Sequence, residues 1–328
     1  MKDIIKVTKE SGIPLMGCIA FGIIDRGTNL LQIRPTTVCP LNCPFCSTDA
    51  GPFSRLHDVN FEVECDYLVE EIEKAVKIKN CEIEANIDSV GEPTSYKELE
   101  KLVKKIKNIK GIKRVSMQTN GTLLDKNKIK SLKNSGLDHI NLSIHSLNKE
   151  EAKKLAGNEN YDVNKIKKLA KDIADEGIGL CITPVYLPRI NEEDIEEIIE
   201  FAKSIGAGLG IQKYEVYKYS RKMNKAKQQN WWKFYRQLKE WEKKHDVRLI
   251  LNAKDMGIEK CHRVPEVFEK GEKASVVIRS KGWAKNQMVG VAKDRCISIN
   301  NCYAEIGDKV RIKIMETKNN IYVADLTT

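Results

Sequence analysis

Apolar and polar positions follow two different rhythms along this chain. Over residues 1–217, β-rich runs at 30–36, 82–88, 114–119, 139–145, 179–186 and 210–217 alternate with stretches whose apolar residues recur every three or four positions. Residues 67–78 place Leu68, Ile72, Ala75 and Val76 on one helical face, and 192–204 do the same with Ile195, Ile198, Ile199 and Ala202. Asn191 before Glu192, Glu193 and Asp194 reads as an N-cap with an acidic first turn. Gly136, Gly177 and Gly206 follow helical patterns as stops. Six strand–helix alternations predict an α/β fold with a parallel sheet and helices outside. Six units fall short of a closed eightfold barrel, which leaves a partial (β/α)6 barrel or a doubly wound sheet. In both, functional loops follow the C-terminal ends of the strands.

Residues 224–245 are expected to form a long basic helix without Gly or Pro, and 249–251 a short strand. From 271 onward the rhythm becomes period two, with runs at 274–279, 287–292, 296–299, 310–315 and 321–326. Five short strands in so small a space predict an all-β barrel. Three domains follow: the partial barrel 1–217, a helical extension 218–270 and the terminal β-barrel 271–328.

Composition narrows the class. The chain has 328 residues, 41% apolar and 31% charged, which fits a globular protein with a sizeable core and excludes a mostly disordered one. No apolar run approaches the ~18 residues of a membrane span, and the charged start is unlike a signal peptide. A cytoplasmic protein away from the membrane is expected. In that compartment the ten Cys are not expected to form a disulfide framework, so regular Cys spacing reads as metal or redox chemistry. The net charge of +10 is uneven. Residues 213–248 hold twelve basic and four acidic side chains, 271–328 hold ten and six, and the first 212 come to −2.

The first β-run leads into Cys39, Cys43 and Cys46, spaced C-x3-C-x2-C, so one loop can wrap three thiolates around a single metal centre. Iron–sulfur clusters normally take four thiolates. Three would leave one iron open, and an open position is what catalytic metal sites keep. The bland alternatives are unrelated thiols or part of a zinc site, for which the nearest further ligand is His57.

This pattern resembles the radical S-adenosylmethionine superfamily, whose hallmark is C-x3-C-x-aromatic-C after the first strand of a partial (β/α)6 barrel; Phe45 stands at the aromatic position. The resemblance implies a [4Fe-4S] cluster on Cys39, Cys43 and Cys46, with S-adenosylmethionine on the open iron. An external electron donor such as ferredoxin or flavodoxin would then drive cleavage to a 5′-deoxyadenosyl radical. Asp88-Ser89-Val90-Gly91-Glu92-Pro93 resembles the family's Gly-Gly-Glu-Pro turn, which holds the cofactor's ammonium, with Val90 in place of the first Gly. Thr119-Asn120-Gly121 matches a tripeptide of several family branches, and Ser143 matches the ribose-binding position. Alternation puts Asn141, Ser143 and His145 on one strand face. The implied cofactor residues are therefore Phe45, Gly91, Glu92, Asn120 and Ser143. His145 is either a satisfied core histidine or a catalytic group facing substrate.

Asp49 reads as a turn former before Gly51-Pro52, and Gln212 as an inward-facing candidate. The remaining thiols, Cys18, Cys65, Cys81, Cys181, Cys261, Cys296 and Cys302, read mostly as small buried hydrophobes; Cys261, beside His262, could also serve as a redox thiol.

Eight aromatics punctuate the basic stretch: Tyr214, Tyr217, Tyr219, Trp231, Trp232, Phe234, Tyr235 and Trp241. Interleaved cations and rings suit RNA, whose phosphates need Lys or Arg and whose splayed bases stack on rings. The alternative is a solvated helix packed through a stripe of Trp231, Tyr235 and Trp241, with Trp232 and Phe234 pointing elsewhere. RNA-binding candidates are Lys222, Lys225, Trp232, Lys233 and Arg236 here, and Arg279, Lys281, Trp283 and Lys285 in the terminal module. That module resembles a TRAM domain, which implies tRNA binding, with Trp283 the first stacking candidate. The expected function is radical modification of a nucleoside in structured RNA, tRNA foremost. The rivals are a radical enzyme for a peptide or small metabolite, and an RNA-binding protein with a structural cluster. A methylthiotransferase is disfavoured, because only Cys18 precedes the motif.

Overall fold

The computed structural model describes residues 2–327. Its elements begin with β1 (Asp3–Val7), β2 (Gly22–Asp25), β3 (Leu30–Arg34), β4 (Val59–Val63), α1 (Cys65–Lys79), β5 (Ile83–Ile87), α2 (Leu99–Lys107) and β6 (Ile112–Thr119). There follow α3 (Lys126–Asn134), β7 (His139–Leu142), α4 (Lys149–Ala156), α5 (Val163–Asp175), β8 (Gly179–Ile182), β9 (Val185–Tyr186), α6 (Glu192–Ser204), β10 (Gly208–Leu209), β11 (Gln212–Lys213) and α7 (Trp231–His245). The terminal strands are β12 (Lys273–Lys281), β13 (Gln287–Ala292), β14 (Arg295–Asn300), β15 (Lys309–Glu316) and β16 (Val323–Leu326).

A seven-stranded sheet has the order β10-β8-β7-β6-β5-β3-β2. The pairs β3–β5, β6–β7, β7–β8 and β8–β10 are parallel, and β2 is antiparallel to β3. Six strands in sequence order, connected through helices, make the partial (β/α)6 barrel. The expected run 179–186 is split between β8 and β9 at Pro184, which has no N–H to give a ladder. Only two-residue strands occur near 210–217, and Gln212 is exposed rather than inward-facing. Strand β2 was invisible to pattern reading because all four of its residues are buried, leaving no alternation to detect.

The chain divides into two compact units, Met1–Cys39 with Ser54–Val115 and Glu259–Thr328, and Pro40–Phe53 with Ser116–Ile258. In the first unit α1 buries Leu68, Ile72, Ala75 and Val76, as its periodicity requires. Its last residue, Lys79, is buried completely, with Nζ 2.7 Å from Asp25 Oδ1 and donating to His262 O at 2.9 Å. One disulfide joins Cys81 to Cys261, which corrects the reading of Cys261 as an available thiol. The partners are 180 residues apart, so no local spacing reveals them. They meet because Cys261 N donates to Gly27 O and Asn29 N to Glu259 O, which pins this segment along the sheet edge.

The same unit holds a closed barrel in the order β12-β13-β14-β16-β15, with β14 parallel to β16 and the other pairs antiparallel. All five expected strands form. Inward positions Val276, Ile278, Ile297, Ile299, Ile312, Ile314 and Tyr322 fill its core. Trp283, expected to be an exposed stacking ring, is only 5% exposed and lies flat on His57 with centroids 3.6 Å apart. An aromatic ring next to an imidazole gains more from that packing than from water.

In the second unit α7 starts at Trp231, seven residues later than expected, because Asn230 caps it by accepting from Lys233 N at 2.9 Å. Its packed stripe is Phe234, Leu238 and Trp241, at i, i+4 and i+7; Trp231 and Tyr235, which the packed-helix alternative placed in the stripe, are exposed. The strand expected at 249–251 does not form, since Leu249 N and Ile250 N both donate to Glu242 Oε1. Asn191 precedes α6 but does not cap it. Its buried amide instead accepts from Leu187 N and donates to His145 O and Val185 O. Gly136, Gly177 and Gly206 do terminate helices with positive φ. Among the described residues no helix is long and apolar enough to cross a membrane.

Candidate active site

Arg34 ends β3 and is nearly buried, its Nη2 3.6 Å from Asp88 Oδ2 and its Nε donating to Asp88 O at 3.1 Å. Gln32 also donates to the Asp88 carboxylate. This lock joins the C-terminal ends of β3 and β5, where functional loops of such sheets begin.

The loop after β3 carries Cys39, Cys43 and Cys46 as half-buried thiols outside any disulfide. Among the described residues no three His, Cys, Asp or Glu side chains converge into a ready-made cage. The loop offers a donor set: three soft thiols within eight residues, suited to iron–sulfur ligation. Burial pushes the Cys43 thiol up to about 12, with Cys46 adding to the rise and Arg221 opposing it. Asn42 Oδ1, between the first two thiols, is buried without a hydrogen-bond partner, and so is Ser89 Oγ at the turn after β5. Buried orphan acceptors are uncommon unless a ligand or water completes them. The residues present fit a cluster with a bound polar cofactor.

Arg221, which sequence reasoning missed, fixes this loop. Its guanidinium forms an ion pair with Asp49 and donates to Cys43 O at 3.0 Å and Ala50 O at 2.6 Å, while its backbone N–H reaches Cys46 O at 2.8 Å. Asp49 is only 3% exposed and has φ 52°, so it is a turn former and a buried anion at once. Nothing in the pattern around Arg221 separates it from the surface cations of the same basic run. Gly157, at the end of α4, closes the other side: a Cβ there would stand 2.1 Å from Asn42 O.

In the first unit Gly91 lies against the start of the Cys loop, where a Cβ would be 2.4 Å from Val38 O and 2.5 Å from Thr37 O. Glu92 N donates to Val38 O at 2.7 Å, and the Glu92 carboxylate accepts from Thr94 N and Thr94 Oγ1. In the second unit Gln118 Nε2 donates to Ser143 Oγ and Thr183 Oγ1, both at 3.0 Å. Asn120 Oδ1 accepts from Thr122 N and Oγ1. Phe45 is buried beside Leu155, Leu187 and Tyr214 and meets His145 edge-on at 4.9 Å. His145 accepts from Val185 N through Nδ1 at 3.1 Å, and burial lowers its pKa to about 4. It is therefore neutral near pH 7, with Nε2 the protonated nitrogen.

Of the residues expected to meet RNA, Lys222, Lys225, Lys233, Arg236, Arg279, Lys281 and Lys285 are exposed. Trp232 is 66% exposed, with the Arg236 guanidinium 4.9 Å from its ring centre. Trp283 alone is withdrawn.

A partial barrel whose first parallel strand leads into a three-thiol loop defines an enzyme class built around an iron–sulfur cluster. The model of the Radical SAM superfamily matches residues 33–202, and the chain belongs to that superfamily. Its members are enzymes that use a [4Fe-4S] cluster and S-adenosylmethionine and draw electrons from an external donor. The chain is 40% identical to uncharacterised protein MJ0103 of Methanocaldococcus jannaschii, over 98% of this chain and 82% of that one. It is 30% identical to the GTP 3′,8-cyclase of Aquifex aeolicus, over 58% of each. Streptococcus suis SuiB superposes with a TM-score of 0.53 at 21% identity, over 74% of this chain and 50% of SuiB, a likeness of fold. The chain thus spans little more than half the length of the cyclase and half of SuiB.

Proposed function

We propose that this radical S-adenosylmethionine enzyme modifies a nucleoside within structured RNA, tRNA foremost. The observation that carries the reading is the set of large rings left in solvent within the basic stretch: Tyr217, Trp231, Trp232 and Tyr235 are 41–66% exposed among Lys222, Lys225, Lys233 and Arg236. Exposed rings among unburied cations suit stacked bases and phosphates. The terminal barrel agrees, since its order, with third and fifth strands parallel, is that of the Greek-key barrels that bind oligonucleotides and oligosaccharides.

Cys39, Cys43 and Cys46 would hold the cluster, Gly91 and Glu92 the amino-acid end of S-adenosylmethionine, and Phe45, Asn120 and Ser143 its nucleoside. When bound, the pair supplies a 5′-deoxyadenosyl radical on reduction by a donor such as ferredoxin or flavodoxin. Arg221 holds the loop backbone in place through its four hydrogen-bonded contacts. Gln118 orients Ser143, and Asn191 with Val185 orients His145, whose neutral imidazole can present Nε2–H to a substrate. The apolar wall of Phe45, Leu155 and Leu187 excludes water there.

A second reading, a free guanosine nucleotide as substrate, is favoured by the likeness to GTP 3′,8-cyclases. Nucleoside mass spectrometry of tRNA from a strain lacking the gene separates the two. Loss of one modified nucleoside supports RNA; an unchanged tRNA profile beside in vitro turnover of GTP refutes it.

A further inference from the structure

The outer face of the ribbon formed by β12 and β15 carries six cations, more than the carboxylates beside them balance. Side chains alternate in and out along the paired stretch, so Lys273, Ser275 and Val277 share one face with Lys309, Arg311 and Lys313. Beyond the register shifts at Arg279 and Met315, the side chains of Arg279, Lys281 and Met315 are exposed as well. Antiparallel register sets Lys273 directly opposite Lys313, Ser275 opposite Arg311 and Val277 opposite Lys309. The six cations are exposed, Asp325 of β16 lies cross-strand from Lys313 and Glu316 follows at the end of β15, and none of the six forms an ion pair among the described residues. Like charges directly opposite one another destabilise a sheet. A bound polyanion would remove that penalty.

The ribbon ends at a cleft of about 640 Å³, lined by Lys281, Asn286, Glu305, Ile306 and Tyr303. Tyr303 is 76% exposed, the most exposed of the large rings, and Lys285 stands nearby on the same loop as Asn286. A ring in solvent, flanked by cations, an amide and a carboxylate, can stack a base and read its edge.

We propose that the β12–β15 face binds the phosphodiester backbone of the RNA substrate and that one unstacked base of it enters the cleft onto Tyr303. This rests on the RNA reading above and locates the RNA on a surface that the chain pattern had assigned to Trp283. Six cations spread along the length of the ribbon favour a repeating anion over a single one.

The test is fluorescence anisotropy of the full-length, cluster-loaded protein with a fluorescein-labelled single-stranded RNA of mixed sequence and with unmodified tRNA, over a range of KCl concentrations. Six phosphate contacts give a slope of log K against log[salt] of about −4 on the single strand. Arg311→Ala with Lys313→Ala should make that slope shallower by about 1.4. Tyr303→Ala should weaken binding by about fivefold to a hundredfold, and Tyr303→Phe should restore it. Because Lys313 lies between Lys273 and Asp325, its loss removes one repulsion and one attraction and should leave the melting temperature nearly unchanged. Should the double variant melt early, Lys309→Ala carries the same test with a slope change of about 0.7.

Steep wild-type binding that neither set of variants alters would overturn this placement and leave the RNA reading standing. No RNA binding by the wild type overturns both. Equal competition by poly-glutamate of matched charge, with no effect at Tyr303, would make the face a general acidic-partner surface and refute the proposal.

Discussion

Replacing Arg221 with Met should loosen the cysteine loop more than any other single change outside the thiols. The substitution strips the cation from Asp49, which is 3% exposed, and removes the guanidinium donors from Ala50 O and from Cys43 O, which keeps Cys46 N. Removing one partner of a buried pair costs about 3–5 kcal/mol. Arg221 keeps 15% of its side-chain exposure, so the lower end, about 3 kcal/mol, applies. Hydrogen exchange reads this locally, which suits a chain of two units whose global unfolding need not be two-state. Protection of the amides in 43–51 should fall by roughly a hundredfold, while amides of the terminal barrel stay unchanged. Arg221→Lys should fall between, since it keeps charge but not the planar fork. Adding Asp49→Asn to Arg221→Met should recover part of the loss, as the orphaned charge disappears. A change of less than threefold in the loop, or an equal loss across both units, would refute the argument.

Gly91→Ala places a methyl against backbone at Val38 and Thr37, neither of which can yield, so S-adenosylmethionine affinity measured by calorimetry should drop at least tenfold; unchanged affinity would dissociate this turn from the cofactor. Burial holds the His145 pKa down to about 4, below its unfolded value of about 6.5. The unfolded chain therefore binds the extra proton first, and stability should fall as pH drops from about 6.5 towards 4. The fall in melting temperature across that window should shrink in His145→Asn, and an NMR titration of His145 with its midpoint near 6.5 would disprove the assignment. Cys261→Ser opens a covalent loop of 180 residues and should cost about 2–4 kcal/mol, seen as a lower melting temperature that added reductant reproduces in the wild type. Identical melting of oxidised and reduced wild type would refute it.

Much of the architecture was legible because it is local. The helix faces of α1 and α6 and all five barrel strands follow from periodicity, since each element buries one face and a residue's face depends only on its spacing. Elements buried on both sides, such as β2, carry no such signature. The thiol loop was legible for a chemical reason: one cluster must be reached by side chains from one short segment. Its supports were not. Arg221 lies 172 residues from Asp49, and Asn191 lies 46 from His145, so their partnerships exist only after folding.

The aromatic residues mark the same division. Sequence alone determined that rings and cations concentrate in the last third of the chain, because composition needs no coordinates. Which rings meet solvent was decided by tertiary packing. His57 takes the face of Trp283, Tyr186 takes the edge of Trp241, and Trp232 and Tyr303 are left exposed. A hydrophobic ring is buried wherever a complementary surface comes within contact distance, and only the folded chain brings that surface near.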